Sequence, residues 1–133
     1  MDHAAIEYEP FRKAFYIEVP EVQRMSDEEV EAYRKGADGI KVRGKRCPRP
    51  VKKWTQCGLS DGVLRTIERA GYASPFPIQA QCLPAIMSGR DVIGIAKTGS
   101  GKTMGYTLPM LRHVSSLARD HTRSHEIARD RTR

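Results

Sequence analysis

Two segments in the middle of the chain place apolar residues at the three- and four-residue spacing of an amphipathic helix. The first, LSDGVLRTIERAG (residues 59–71), contains Ser60, a favourable N-cap residue, and ends at Gly71, which can end a helix in the left-handed conformation. Its apolar positions are Leu59, Val63, Leu64 and Ile67. The pattern predicts a helix that packs on a core by one face.

The second segment, FPIQAQCLPAIMSG (residues 76–89), predicts a helix with Pro77 in its first turn and Gly89 at its end. Pro84 lies well inside this segment and lacks the N–H that a helix interior needs, so we expect a kink or a later start. The expected apolar face consists of Ile78, Cys82, Ala85 and Ile86.

A shorter helix is predicted over residues 27–35. Ser26 and Glu29 have the spacing of a capping box, in which each side chain satisfies a backbone donor at the helix start. Gly36 follows as a helix stop.

The segments around this helix predict extended backbone. Apolar and other residues alternate over residues 15–19, which favours a short strand or an extended arm that ends at Pro20. Residues 36–53 should also be extended, because Pro48 and Pro50 break any helix.

The C-terminal part begins with a short apolar run, DVIGIA (residues 91–96), that predicts a buried strand. A helix should start near Gly101 and run to about Leu117, with a bend or break at Pro109. The last 16 residues contain eight charged and only three apolar positions, so we expect a disordered tail over residues 118–133.

The composition is that of a small globular domain. The chain has 133 residues, of which 39% are hydrophobic and 29% charged. No apolar run approaches the roughly 20 residues that span a bilayer, so we expect no membrane partner. The acidic N-terminus lacks an apolar core and differs from a secretory signal.

Positive charge is concentrated in residues 34–53, which hold nine Lys or Arg residues and one Asp, a net of +8 in a chain whose total is +7. A basic stretch with Gly and Pro predicts contact with RNA phosphates or with a partner, although a solvated linker has the same composition. The candidate contact residues are Lys41, Arg43, Lys45, Arg46, Arg49, Lys52 and Lys53.

Cysteine and histidine spacings favour neither a disulfide framework nor a metal site. Cys47, Cys57 and Cys82 are odd in number and form no C-x-x-C pair, which favours a reducing compartment. His121 and His125 have the i, i+4 spacing of a helical metal site. No third ligand accompanies them, so we favour a solvated tail.

The segment AKTGSGKT (residues 96–103) matches the P-loop pattern, except that Ala96 stands where Gly is usual. Glycines let backbone N–H groups close around phosphate oxygens, and the next helix directs its positive end at the same anion. Lys102 should reach the β- and γ-phosphates, and the Thr103 hydroxyl should ligate Mg²⁺. The predicted phosphate-binding loop comprises Ala96, Lys97, Thr98, Gly99, Ser100, Gly101, Lys102 and Thr103.

Upstream, GYASPFPIQ (residues 71–79) resembles the Q motif of DEAD-box RNA helicases, commonly written G-[FY]-x-x-P-T-P-I-Q. Trp54 stands 17 positions before Gly71, where that family has an aromatic residue. The family's motif I begins with Ala, as this P-loop does at Ala96. Two motifs in the right order make the resemblance specific.

The resemblance implies an ATP site. Gln79 would read the adenine edge through its amide, and Tyr72 or Trp54 would stack on the base or wall it. The family's Thr in P-T-P-I-Q is Phe76 here, which is larger and cannot supply the hydroxyl hydrogen bond. This departure implies weaker or distorted adenine recognition.

The flanking sequence, from about Phe11 to His113, looks like that of the DEAD-box helicases of the early spliceosome, which act when the branch-site small nuclear ribonucleoprotein joins pre-mRNA. The resemblance implies a nuclear protein with ATP and Mg²⁺ as cofactors. Its implied partners are pre-mRNA or small nuclear RNA and splicing proteins. The segment from about Val114 onward resembles nothing that we can place.

ATP hydrolysis in this family needs the acidic D-E-A-D motif and a second RecA-like domain that supplies arginines to the transition state. The 133 residues contain no D-E-A-D sequence. We therefore expect this chain by itself to bind nucleotide weakly and to be inactive as an ATP hydrolase.

The expected fold class is α/β, a partial RecA-like P-loop domain with a truncated parallel sheet and an extended, partly helical N-terminal flank. The expected divisions are a flank over residues 1–53, a partial helicase domain over 54–117 and a tail over 118–133. The strand at 91–96 would lack parallel neighbours, which leaves its backbone groups unpaired. The chain thus looks like the N-terminal piece of a helicase domain.

Three alternatives remain open. Residues 11–53 favour a non-catalytic segment that docks RNA or a splicing partner. A P-loop kinase or GTPase is the second alternative, although the Q motif argues against it. The third is a chain that does not fold stably by itself.

Overall fold

The computed structural model describes residues 3, 6 and 12–130, with no account of the side chains of residues 117–130. Phe11, the first residue of the segment expected to dock RNA or a partner, and the end of the tail, residues 131–133, lie outside the described residues. The helices are α1 (Pro20–Gln23), α2 (Asp27–Gly36), a 3₁₀ helix (Trp54–Cys57), α3 (Asp61–Arg69), α4 (Pro77–Met87) and α5 (Lys102–Asp130).

The capping signals predict the starts of α2 and α3 correctly. The Ser26 hydroxyl accepts a hydrogen bond from the Glu29 N–H at 3.2 Å, and the Glu29 carboxylate accepts from the Ser26 N–H at 2.8 Å. Ser60 is the N-cap of α3, although its side chain makes no capping hydrogen bond. Gly71 follows α3 with φ +80°, as a left-handed helix stop requires.

The hydrophobic core lies where α3, α4 and α5 meet α1 and residues 51–59. The apolar face predicted for α3 packs against it, since Leu59 and Ile67 are buried and Val63 and Leu64 are partly buried. The buried members of the core are Val22, Val51, Trp54, Cys57, Leu59, Ile67, Leu83, Met87 and Leu108.

Burial in this core changes the acidity of two side chains. Desolvation raises the pKa of the Cys57 thiol to about 12. Desolvation, with a smaller contribution from the Glu18 carboxylate, raises the pKa of Tyr16 to about 12. Both groups are therefore neutral near pH 7.

α4 runs without interruption through Pro84, where we expected a kink or a later start. Pro84 cannot donate to the carbonyl of Ala80, four residues earlier. That carbonyl instead accepts a hydrogen bond from the Val51 N–H at 3.0 Å. Because Pro84 leaves the Ala80 carbonyl without a donor in the helix, this carbonyl is free to bind the segment before the 3₁₀ helix to α4.

The apolar face predicted for α4 is wrong in part. Ala85 is buried as expected, whereas Ile78, Cys82 and Ile86 are only partly buried. The deepest positions are Gln79, Ala80, Leu83, Pro84 and Met87. Neighbours surround α4 on most sides, so its own sequence period does not mark the core face.

α5 continues to Asp130 through Pro109, beyond the end that we predicted near Leu117. Residues 117–130 contain no Gly or Pro, and Ala, Arg and Glu favour helix, which explains the longer helix. The helix is therefore not broken at Pro109, and the alternative expectation, a bend there, stays a prediction. The division into flank, domain and tail stays a prediction.

Residues 91–96 form no strand, and the part of the chain that the structure describes contains no β-strand at all, so the predicted strand is not confirmed. The segment lies over α4, because a Cβ on Gly94 would come within 3.4 Å of Ile78 Cδ1 and 3.7 Å of Cys82 Sγ. Ile93 and Ile95 point away from the helix and are 93% and 92% exposed. A strand needs a neighbouring strand, and none is described here.

The N-terminal arm, residues 12–19, is extended but forms no strand. The N–H groups of Phe15 and Tyr16 both donate to the carbonyl of Met87, at 2.8 and 3.0 Å. The Phe15 ring lies 5.2 Å from the ring of His113 in α5. The arm therefore joins the end of α4 to α5.

None of the helices in the described ranges is long and apolar enough to cross a membrane.

Candidate nucleotide site

The P-loop closes through its glycines and Lys102. Gly99 and Gly101 have φ of +78° and +83°, which other residues rarely adopt. The Lys102 ammonium donates to the carbonyls of Ala96 and Lys97, at 2.7 Å each. The loop therefore folds back over its own lysine just before the N-terminus of α5.

The loop residues fit a phosphate group. The Ser100 hydroxyl is buried and finds no hydrogen-bond partner in the described residues, which leaves a donor for an anion. A Cβ on Gly99 would meet nothing within 4 Å, so the loop has open space on that side. Thr103 is exposed in the first turn of α5, where its hydroxyl can reach a metal ion. Lys97 and Thr98 are exposed as well.

Gln79 connects the Q-motif segment to the P-loop and is only 1% exposed. Its amide oxygen accepts from the Phe76 N–H at 2.9 Å. Its amide nitrogen donates to the Gly101 carbonyl at 2.9 Å. Sequence reasoning predicted a base-reading role for Gln79 but missed this bridge between two backbone segments.

Phe76 occupies the N-cap position of α4, where a side chain with a hydroxyl would cap the helix. Phe has no such group, so only half of a capping box forms, from Gln79 back to the Phe76 N–H. The spacing F-x-x-Q carried a signal for this bond, because Gln three residues after an N-cap is the second half of that pattern.

The Phe76 ring lies against the P-loop. A Cβ on Gly101 would come within 2.6 Å of Phe76 Cδ2, and it would also collide with the amide nitrogen of Gln79. Ring and amide therefore meet at the same side of Gly101. Tyr72 stands edge-on to this ring, with centroids 6.4 Å apart at 89°. Tyr72 and Phe76 are 40% and 42% exposed.

The two aromatic candidates for the base wall differ in access. Trp54 is buried in the core, and its indole N–H donates to the Tyr72 carbonyl at 2.8 Å. This hydrogen bond links the Tyr72 backbone to the core. Of these two residues, Tyr72 is the exposed one, and its ring lies next to the Phe76 ring.

The candidate RNA-contacting residues fall into two groups. Arg49 serves the fold, because its Nε donates to the Met25 carbonyl at 2.9 Å and its Nη2 lies 4.0 Å from the Asp27 carboxylate. The others are exposed: Lys41, Arg43, Lys45, Arg46, Lys52 and Lys53.

The family model of DEAD/DEAH box helicases matches residues 76–128. The chain is 60% identical over 114 residues to "Probable ATP-dependent RNA helicase DDX46" of Homo sapiens, a match that covers 86% of this chain and 11% of that protein. It is 57% identical over 114 residues to "Pre-mRNA-processing ATP-dependent RNA helicase PRP5" of Mycosarcoma maydis, covering 86% and 10% respectively. The chain thus spans about a tenth of the length of these curated relatives.

Among solved structures, the yeast DEAD-box splicing factor Prp28 is similar to this chain with a TM-score of 0.65 and 26% sequence identity. The match covers 71% of this chain and 22% of that one. The described part of this chain contains helices and no β-strand.

Proposed function

Because this chain belongs to the DEAD/DEAH box helicase family, we propose that it is the ATP-binding N-terminal part of a helicase domain that acts on RNA in pre-mRNA splicing. The full protein would act in the nucleus and couple ATP binding and hydrolysis to the remodelling of RNA. One observation carries the proposal. The Q-motif segment and the P-loop are joined by Gln79, so that base-binding and phosphate-binding elements lie side by side.

The residues of the loop have distinct roles in this proposal. Backbone N–H groups around Gly99 and Gly101 bind phosphate oxygens, helped by the positive end of α5. Lys102 leaves the carbonyls of Ala96 and Lys97 and turns its ammonium to the β- and γ-phosphates. The Thr103 hydroxyl holds Mg²⁺, which neutralises phosphate charge when bound.

The parallel sheet of the proposed α/β fold needs strands beside residues 91–96. Ile93 and Ile95 are almost fully exposed, and Gly94 rests on α4. This segment is positioned to become a buried strand once neighbours cover its outer face and pair with its backbone.

Calorimetric titration with Mg-ATP tests nucleotide binding by the 133-residue chain. We expect weak but measurable binding that Lys102→Ala abolishes, because the ammonium supplies the main charge for the phosphates. We expect no ATP turnover with or without RNA, since the 133 residues contain no D-E-A-D sequence. Absence of binding would refute the proposed nucleotide site, and RNA-stimulated turnover would refute the expected inactivity.

The exposed lysines and arginines of residues 41–53 support a second function, a contact with RNA or a splicing partner. Deleting residues 1–53 is a poor test, because it removes Val22 and Val51 from the core. Replacing Lys41, Arg43 and Lys45 by Gln leaves the core intact. If the segment contacts RNA, this triple variant weakens RNA binding and lowers its salt dependence, with ATP binding unchanged.

A further inference from the structure

The side-chain amide of Gln79 already uses half of its hydrogen-bonding capacity within the protein, so little remains for contacts with a base. An amide carries two donor hydrogens and an oxygen with two lone pairs. One donor is used by the Gly101 carbonyl and one lone pair by the Phe76 N–H. The remaining donor and lone pair belong to a side chain that is 99% buried. An adenine edge would need both of them at an accessible surface.

The Phe76 ring lies beside the buried amide and contributes to its burial. The ring and the Gln79 amide nitrogen meet at the same side of Gly101. The ring therefore covers the amide from the direction of the P-loop. A small hydroxyl side chain at this position would leave the amide open and would also cap the free N–H groups of α4.

The ring that covers the amide offers a different contact to a nucleotide. Phe76 and Tyr72 stand edge to face, both are partly exposed, and the Phe76 ring touches the loop that holds the phosphates. An aromatic face stacks on a nucleobase with a favourable energy that depends little on the base, because every base has a π-face.

We infer that Phe76 makes the nucleotide site of this chain tolerant of the base, so that it binds Mg-ATP and Mg-GTP with similar affinity through stacking. This inference rests on the proposed function, because it requires a triphosphate in the P-loop. Phe76 is the specificity-determining residue, and Gln79 serves as the link between the Q-motif segment and Gly101.

Competition for a fluorescent ATP analogue tests the inference on the 133-residue chain. Unlabelled ATP, GTP and inorganic tripolyphosphate are the competitors, each with Mg²⁺. We expect the Kd values for ATP and GTP to agree within about threefold, and tripolyphosphate to bind more weakly than either. Lys102→Ala should abolish binding of all three.

Two substitutions at one site separate stacking from base readout. Phe76→Thr removes the ring and uncovers the amide, so the variant should favour ATP over GTP by about tenfold. Phe76→Leu keeps an apolar side chain without a π-face, so it should weaken ATP and GTP alike while tripolyphosphate binding stays unchanged. A thermal melt of each variant checks that α4 is intact.

Distinct results overturn the inference and the proposed function. A tenfold preference of the unmodified chain for ATP overturns the inference and leaves the nucleotide site standing. Tighter binding of tripolyphosphate to Phe76→Leu also overturns it, because the ring would then block the loop. Failure of every competitor, tripolyphosphate included, contradicts the proposed function and the inference together.

Discussion

Gln79 joins two parts of the candidate site that are 22 residues apart along the chain. Its contacts depend on the glycine at position 101. The φ of Gly101 is +83°, and a Cβ there would collide with the Gln79 amide. Gly99 has nearly the same φ, +78°, with open space around it. Both glycines therefore have a left-handed backbone, and only Gly101 is also packed against Gln79 and Phe76.

Gly101→Ala should destabilise the chain more than Gly99→Ala. Each substitution places a Cβ in the left-handed region, which costs about 1–2 kcal/mol. Only the substitution at Gly101 also displaces Gln79 and the Phe76 ring, which adds roughly 1 kcal/mol or more. Urea unfolding of both variants measures the difference. Equal losses would mean that the Gln79 bridge does not hold the loop in place.

Helix α2 shows how local sequence specifies an element. Ser26 and Glu29 form both hydrogen bonds of a capping box. Ser60 occupies the same position before α3 but makes no side-chain capping bond. The same residue type at the same helix position thus contributes differently, because only one hydroxyl meets a backbone N–H.

Ser26→Ala should lower the free energy of unfolding by about 1 kcal/mol, because an N–H at the start of α2 loses its acceptor. Ser60→Ala is the matched control and should change it by less than about 0.5 kcal/mol. Chemical denaturation monitored by circular dichroism gives both values. A loss at Ser60 equal to that at Ser26 would contradict the assigned caps.

At the scale of the whole molecule, the N-terminal arm closes the core. Phe15 packs against the core and against His113, and the N–H groups of Phe15 and Tyr16 share the Met87 carbonyl. Ile17, two residues further on, is 74% exposed. In the residues described, the arm therefore packs against the same core as α4 and lies beside α5.

Phe15→Ala should destabilise the whole chain by roughly 2 kcal/mol, because the partly buried ring leaves the interface between α4 and α5. Ile17→Ala removes an exposed apolar side chain from the same arm and should cost less than about 0.5 kcal/mol. Unfolding monitored by Trp54 fluorescence reports on the core directly. Similar midpoints for the two variants would show that the arm is not part of the cooperative unit.

The local patterns of the chain predicted the starts of α2, α3 and α4 and the glycine-rich loop before α5. Each depends on contacts within a few residues, such as those of Ser26 with Glu29 or the left-handed turn at Gly71. The match of Gln79 and residues 96–103 to helicase motifs identified the family by sequence alone. These features need no distant partner to be recognised.

Only the tertiary structure decided the contacts between distant segments. The Ala80 carbonyl left by Pro84 is paired with Val51, and α4 continues through the proline. Trp54 lies in the core, and the Phe76 ring and the Gln79 amide meet at Gly101. The segment at 91–96 has strand composition but forms no strand, because backbone pairing requires a neighbour that its own residues cannot supply.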